Sequence, residues 1–246
     1  MQHRSKKIKK SFFIILVVLI VLSGSSAIYL GNYYHSVDVE KYMNGSSEVS
    51  VKKFDKGWFF DGAGEEKALI FYPGAKVATE AYAPLMYQLA ESGIDCFLVD
   101  MPFHMAFFGM NRAEEIMQEY NYEAWYLGGH SLGGAMAANF AADYVEDHTD
   151  GIRGLLLLAA YPTKDLSTSD MSVVTVYGSE DGVLNMDKIV AGRELMPQDY
   201  KEVCIEGGNH AQFGSYGAQK GDGTAAIPAE EQWARTVEVF VGDESE

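Results

Sequence analysis

Short hydrophobic runs alternate with amphipathic segments along most of the chain. Runs such as residues 68–72 and 154–159 are apolar almost throughout, which is typical of strands buried on both faces of a parallel sheet. The segments between the runs repeat apolar residues at helical spacing. Strands are predicted at residues 48–51, 58–60, 68–72, 95–99, 123–127, 154–159, 172–177 and 202–205, and helices at residues 80–92, 113–120, 132–145, 186–195 and 230–240. This alternation predicts an α/β fold, with a mostly parallel central sheet and helices on both faces.

The N-terminal segment has a different pattern. Residues 1–10 hold five Lys and Arg and no acidic residue, and residues 12–22 hold no polar residue. With residues up to 30 included, the apolar stretch is long enough to cross a bilayer, and the basic flank favours a cytoplasmic N-terminus with the rest of the chain outside. A secretory signal peptide cleaved near residues 25–27 is the alternative. The predicted organisation is a basic cytoplasmic tail at 1–11, a transmembrane anchor or signal peptide at 12–30, a connector at 31–45 and one α/β domain at 46–246.

Charge narrows the possible partners. The net charge is −16, and beyond residue 10 the chain has 14 Lys and Arg against 35 Asp and Glu, a net −21. A domain this acidic repels nucleic acid phosphates, so no nucleic acid partner is expected. The two cysteines, Cys96 and Cys204, lie in apolar runs and are predicted to be buried thiols. They form no metal-binding cluster with the histidines, and no metal or organic cofactor is expected.

A candidate nucleophile follows the run at residues 123–127. Ser131 lies in Gly-His-Ser-Leu-Gly, between that strand and an Ala-rich helical segment. A serine at such a strand-turn-helix junction adopts a strained backbone conformation that exposes its hydroxyl above the sheet. Gly129 and Gly133 leave room for the tight turn. The alternative is a glycine-rich turn in which the serine is incidental.

A serine hydroxyl needs a base to take its proton and an acid to orient that base. Two further predicted strands end just before Asp181 and just before His210. The carboxyl ends of parallel strands meet at one edge of a sheet, so both side chains are expected near Ser131. Asp181 is the predicted acid, with Glu180 as the alternative, and His210 is the predicted base. Their order along the chain, Ser, Asp and His, is typical of α/β-hydrolases.

Acyl transfer also needs hydrogen-bond donors for the negatively charged oxygen of the tetrahedral intermediate. The backbone N–H of Leu132, directly after the nucleophile, is one predicted donor. The second is expected in the loop at residues 73–76, called the oxyanion loop below. The Ala75 N–H is favoured there, and the Lys76 N–H is the next choice.

Two loops are expected to border the site. Residues 212–228 are rich in glycine and are predicted to pack across the mouth of the site beside His210. Residues 102–111 carry several aromatic and methionine side chains and are predicted to form either an apolar pocket wall or an ordinary helix packed on the sheet. No large lid is expected. Among the other histidines, His104 is predicted to border the pocket, and His130 is predicted to pack beside the sheet.

Several of these segments together resemble one family, the alpha/beta hydrolase fold-5 family. The similar segments are FYPGAKV at 71–77, AYAPL at 81–85, WYLGGHSLGGAM at 125–136 and GGNHAQFG at 207–214. The resemblance covers about residues 68–240 and implies an α/β-hydrolase fold for the domain. It also implies hydrolase activity with Ser131, Asp181 and His210 as the catalytic triad, and many relatives have an N-terminal membrane anchor.

The expected function is therefore a membrane-anchored serine hydrolase that cleaves carboxylic esters or related acyl bonds outside the cytoplasmic membrane. Two alternatives stay open, an acyltransferase with the same triad and a non-catalytic binding protein on the same fold. The expected partners are a small-molecule ester or acyl substrate and, through the N-terminal helix, the membrane. No obligate protein partner is expected.

Overall fold

The computed structural model of the protein describes residues 15, 16, 18, 20, 31–148 and 151–243. The chain divides into two compact units, Met1–Tyr33 and Tyr34–Glu246. The predicted membrane segment at residues 12–30 lies almost wholly outside the described residues. Within the described ranges, no helix is long and apolar enough to cross a membrane.

The second unit contains the predicted alternation of strands and helices. Its strands are β1 (Ser50–Phe54), β2 (Gly57–Asp61), β3 (Lys67–Tyr72), β4 (Asp95–Val99), β5 (Ala124–His130), β6 (Ile152–Leu158), β7 (Ser172–Gly178) and β8 (Tyr200–Ile205). Its helices are α1 (Glu40–Met43), α2 (Ala83–Glu91), α3 (Arg112–Glu119), α4 (Leu132–Asp147), α5 (Met186–Gly192) and α6 (Ala229–Asp243). Short 3-10 turns occur at Thr79–Tyr82, Pro102–His104, Ala106–Phe108, Arg193–Leu195 and Ala211–Phe213.

The eight strands form one sheet in the order β1-β2-β4-β3-β5-β6-β7-β8. The β1–β2 hairpin pairs antiparallel with β4, and all the other neighbours pair parallel. The chain moves from β3 to β4 in one direction across the sheet and from β5 to β6 in the other. In open α/β sheets, sites lie at such a switch point, outside the carboxyl ends of the strands. That edge of the sheet, called the carboxyl edge below, is where the candidate residues are found.

Two hydrophobic cores cover the two faces of the sheet. Alternate residues of β3 supply them, because successive side chains of a strand point to opposite faces. Leu69 and Phe71 pack with α2 and α6 on one face, whereas Ile70 packs with α3 and α4 on the other. Helix α4 approaches the sheet closely through buried alanines such as Ala137 and Ala141. The predicted fold class, an α/β sheet covered on both faces, is confirmed.

Helix α1 lies within the residues predicted as a connector, and the second compact unit begins at Tyr34. Two details differ from the sequence prediction. Cys204 is exposed rather than buried, because β8 is an edge strand whose outer part is open to solvent. Residues 102–111 do not form a helix packed on the sheet. They contain two 3-10 turns, and Phe103 and His104 have positive φ angles of 57° and 55°.

Candidate active site

Ser131 occupies a strained turn between β5 and α4. Its φ and ψ angles are 53° and −121°, a region that non-glycine residues rarely adopt. The Ser131 N–H donates to the carbonyl of Leu158 in β6 at 2.9 Å, which fixes the turn to the neighbouring strand. Leu132 is the first residue of α4, so its N–H has no acceptor in a preceding helical turn. The strained serine and the available N–H lie side by side at the carboxyl edge.

The glycines around Ser131 are required by close backbone contacts. A Cβ added at Gly133 would lie 2.1 Å from the Tyr72 carbonyl oxygen, and one added at Gly129 would lie 2.5 Å from the Gly133 carbonyl carbon. Real Cβ atoms do not approach backbone atoms this closely. The turn therefore accepts only glycine two residues before and two residues after Ser131, as the sequence predicted.

Asp181 and His210 form a buried carboxylate–imidazole pair. His210 Nδ1 lies 2.8 Å from Asp181 Oδ2, and both side chains are 2% exposed. The other carboxylate oxygen accepts the N–H groups of Val183 and Leu184, both at 2.8 Å. An ionised carboxylate only accepts hydrogen bonds, so the network assigns a proton to His210 Nδ1 and leaves the Nε2 lone pair available. Glu180, the alternative acid, instead lies exposed with its carboxylate 3.3 Å from the Ser179 hydroxyl.

A cavity brings the candidate nucleophile and base together. It has a volume of about 260 Å³, and its wall includes Ser131, Leu132 and His210, with Ala159, Tyr161 and Leu184 opposite. A larger surface hollow of about 670 Å³ lies between α1, α2 and α6, and its wall contains none of the candidate residues. Of these two hollows, the smaller one contains both the candidate nucleophile and the candidate base.

Hydrogen bonding within the oxyanion loop distinguishes the two N–H groups that were predicted as the second oxyanion donor. The Lys76 N–H donates to the His104 carbonyl oxygen at 2.7 Å, so this N–H is occupied within the loop. No acceptor in the described part of the chain bonds the Ala75 N–H. Of the two candidates from the sequence, the geometry therefore favours Ala75. His104 does not line the cavity, and partial burial lowers the pKa of its half-buried imidazole.

Two loops position the acid–base pair, namely the acid loop (residues 179–185) and the histidine loop (residues 206–228). Asp222 joins them. Its Oδ1 accepts the N–H groups of Gly182 at 3.1 Å and His210 at 3.2 Å, and its Oδ2 accepts the Ala211 N–H at 2.8 Å. A single carboxylate thus holds the backbone of both loops. The sequence prediction placed this segment beside His210 but assigned Asp222 no role, because nothing local marks a carboxylate that bonds only backbone groups.

Helix α6 holds the histidine loop from the other side. The Gln232 side chain is fully buried, accepts the Asn209 N–H at 3.0 Å and donates to the Asn209 carbonyl at 2.8 Å. The backbone of Asn209, the residue before His210, therefore both donates a hydrogen bond to helix α6 and accepts one from it. This amide pair was not predicted, since the two residues are far apart in sequence.

His130 lies behind the acid–base pair as a buried neighbour. Its ring centroid is 4.4 Å from that of His210, and it is 1% exposed. The Tyr82 hydroxyl accepts the Gly74 N–H at 3.0 Å and lies 2.8 Å from His130 Nδ1. Burial and the nearby His210 lower the pKa of His130 well below its usual range, and burial raises the pKa of Tyr82.

The described residues contain no group of three or more His, Cys, Asp and Glu side chains arranged to hold a metal ion. The candidate site itself contains a hydroxyl, an imidazole, a carboxylate and backbone N–H groups. This set of groups matches the requirements of nucleophilic acyl transfer.

Residues 68–234 match the model of the alpha/beta hydrolase family. The match spans more than half of the chain and includes Ser131, Asp181 and His210, so the protein belongs to this family. No curated protein sequence matches the chain.

Several solved structures share the fold. Carboxyl esterase 2 from the mycorrhizal fungus Tuber melanosporum has a TM-score of 0.60 and 13% identity, over 85% of this chain and 89% of that chain. A putative hydrolase from Agrobacterium vitis has a TM-score of 0.58 and 13% identity, over 79% and 98%. The monoacylglycerol lipase of Paleococcus ferrophilus has a TM-score of 0.57 and 14% identity, over 80% and 99%.

Proposed function

We propose that the protein is a membrane-anchored serine hydrolase that cleaves carboxylic esters with Ser131, His210 and Asp181. The observation that carries the proposal is the buried Asp181–His210 hydrogen bond beside a strained serine, in a chain of the alpha/beta hydrolase family. The esterase and lipase names of two structural neighbours favour esters among the acyl bonds that such a site could cleave.

The proposed reaction has two steps. His210 Nε2 takes the Ser131 proton as Oγ attacks the ester carbonyl, and the carbon–oxygen bond to the alcohol breaks as His210 returns that proton to the leaving alcohol. Water then attacks the acyl-enzyme with His210 again as base, which releases the carboxylic acid and restores the serine. Asp181 holds the imidazole in the required tautomer and stabilises its positive charge.

Two backbone groups are proposed to stabilise the tetrahedral intermediate. They are the N–H of Leu132 at the start of α4 and the N–H of Ala75 in the oxyanion loop. Neither needs a side chain, and each such donor typically contributes about 2.7–4 kcal/mol to the transition state. Asp222 and Gln232 act as positioning residues, because they hold the loops that carry Asp181 and His210 without reaching the cavity.

The N-terminal segment is proposed to anchor the enzyme with its domain outside the cytoplasmic membrane. The described residues of this segment are helical, apolar and exposed, which favours a lipid environment. They are Ile15, Leu16, Val18 and Ile20. Release of the domain after signal cleavage is the alternative. Membrane flotation and the N-terminal sequence of the mature chain separate the two.

Covalent labelling with a fluorescent fluorophosphonate tests the proposed activity. The full chain should be labelled, and Ser131→Ala should not. Ser92→Ala is the matched control, because Ser92 is an exposed serine at the far end of α2. Equal labelling of Ser131→Ala, or no labelling of the folded parent, would contradict the proposal. Product analysis with an added alcohol then distinguishes hydrolysis from acyl transfer.

A further inference from the structure

Within the described residues of the second unit, six of the seven exposed large hydrophobic residues follow the carboxyl end of a strand. Phe103, Phe107 and Phe108 follow the carboxyl end of β4 and are 57%, 48% and 53% exposed. Val183, Met186 and Val190 follow the carboxyl end of β7, and Val37 is the one that precedes the sheet. The cavity at Ser131 opens at the same edge. Large apolar side chains that are exposed in a contiguous group mark an interaction surface, and here such a group lies on the face at the carboxyl edge.

The three phenylalanines form a continuous patch, called the phenylalanine patch below. The ring centroids of Phe107 and Phe108 are 4.2 Å apart, and those of Phe103 and Phe108 are 5.5 Å apart. The patch is held firmly, because Ala106 is buried and the His104 carbonyl accepts the Lys76 N–H of the oxyanion loop. Phe103 itself has a strained positive φ. The chain thus keeps three apolar rings in water beside its active site.

The N-terminal connector joins the domain at this same face. The Tyr34 N–H donates to the Lys76 carbonyl at 2.7 Å, and the Tyr34 carbonyl accepts the Ala78 N–H at 2.8 Å. Val37 is bonded in both directions to Ser215 of the histidine loop. The apolar sequence at residues 12–30 ends four residues before Tyr34, and four residues of extended chain reach at most about 14 Å.

We propose that this face docks on the lipid bilayer and that the enzyme draws its ester substrate from the bilayer. The proposal rests on the proposed function. Aromatic side chains such as those of the phenylalanine patch partition favourably into the apolar boundary of a membrane. The occupant is lipid rather than a protein, because an apolar stretch at residues 12–30 stands four residues before Tyr34 in the sequence, and the Tyr34 backbone pairs with Lys76 of the oxyanion loop. The net charge of −16 opposes adsorption on anionic lipid, so apolar insertion drives the contact.

The size of the cavity fits such a substrate. Its volume of about 260 Å³ is below the roughly 300–1,000 Å³ of pockets that enclose a whole ligand. The cavity accommodates the ester group and its nearest carbons. A long acyl chain must extend beyond it, past Val183, which lines the cavity and is 38% exposed. The substrate class is therefore an amphiphilic ester whose acyl chain stays in contact with the membrane.

Depth-dependent quenching tests the docking directly. The full chain is reconstituted in phosphatidylcholine vesicles, with or without lipids brominated along the acyl chain, which quench tryptophan on contact. A tryptophan introduced by Phe108→Trp should be quenched beyond the parent's three tryptophans. The matched control is Glu91→Trp, at the end of α2 on the opposite edge of the sheet, and it should show no added quenching. Equal behaviour of the two variants overturns the docking.

A pair of double variants tests the substrate class. Phe107→Ser with Phe108→Ser removes the apolar surface, whereas Phe107→Leu with Phe108→Leu keeps it without the rings. We measure kcat/KM for a long-chain ester held in the vesicles and for a soluble short-chain ester. The ratio of kcat/KM for the long-chain ester to kcat/KM for the soluble ester should fall about tenfold or more in the double serine variant. It should stay within about twofold of the parent's ratio in the double leucine variant. Equal ratios in the two pairs overturn the proposal that the substrate comes from the bilayer.

The two experiments separate this inference from the proposed function. Fluorophosphonate labelling of Ser131 in the same vesicles reports the activity alone. Loss of labelling would refute the hydrolase, while bromolipid quenching would still decide the docking. A different outcome would refute the docking: labelling and hydrolysis of the soluble ester are normal, but the tryptophan at residue 108 shows no added quenching. That outcome would assign the apolar face to a protein partner.

Discussion

The buried imidazole of His130 makes the stability of the domain depend on pH. Burial and the adjacent His210 hold the pKa of His130 well below its usual range in the folded chain. In the unfolded chain the imidazole binds a proton as the pH falls through about 6.5, whereas in the folded chain it stays neutral. This contribution to stability is therefore present above about pH 6.5 and is lost as the pH falls towards the folded pKa.

The structure explains why the folded chain resists this proton. The His130 imidazole is 1% exposed, so burial disfavours its charged form, and the adjacent His210 adds to this effect. A proton that only the unfolded chain binds lowers the free energy of unfolding by about 1.4 kcal/mol for each unit by which the pH falls below the unfolded pKa. With an unfolded pKa of about 6.5, the loss between about pH 7.5 and about pH 5.5 amounts to about 1.4 kcal/mol.

The perturbation is His130→Asn, which keeps an acceptor near the position of Nδ1 but cannot be protonated. Urea unfolding followed by circular dichroism at about pH 7.5 and about pH 5.5 gives the free energy of unfolding at each pH. The parent should lose about 1.4 kcal/mol more than the variant on acidification. His148→Asn, which removes an exposed histidine and leaves His130 in place, should behave as the parent does. An equal loss in His130→Asn and the parent would refute the reasoning.

Further predictions concern the site and its turn. Asp181→Asn should lower kcat on a soluble ester by about 10⁴-fold, whereas Glu180→Gln should leave kcat within about twofold of the parent, and the reverse order would reassign the acid. Asp222→Asn should weaken the bonds to at least one backbone N–H group, at a cost of about 1–3 kcal/mol in urea unfolding, and should lower kcat while KM holds. Gly133→Ala should unfold the domain or abolish labelling, because the added Cβ would lie 2.1 Å from a backbone oxygen of β3. Gly242→Ala, which meets no atom within 4 Å, should preserve the melting temperature.

The sheet and the turn at Ser131 were predictable because their signals are local. An apolar run such as residues 95–99 has no stable alternative to a buried strand, and the structure places β4 at the same residues. The glycines beside Ser131 likewise reflect contacts within a few residues and across to β3. The pairing of Asp181 with His210 followed from the order of strands, since each residue follows the end of a parallel strand.

The remaining parts of the site depend on contacts between distant segments. Asp222 acts on backbone groups of two loops, and Gln232 acts from a helix whose sequence shows only amphipathic spacing. The Tyr82–His130 pair is 48 residues apart in sequence. The exposure of Cys204 depends on β8 being an edge strand, which the apolar character of its neighbours does not reveal. Such features follow from the arrangement of the whole sheet rather than from any one segment.

Tyr34 pairs through its backbone with residues on either side of Val77. This pairing determines how much of the N-terminal segment can be replaced without loss of contacts to the domain. A different tether fused ahead of Tyr34 keeps the two backbone bonds that Tyr34 makes with Lys76 and Ala78. A truncation that starts at Ser36 instead removes the partner of the Lys76 carbonyl and of the Ala78 N–H. The segment from Tyr34 to Val39 must therefore be inherited together with the domain, although by sequence it looks like a connector.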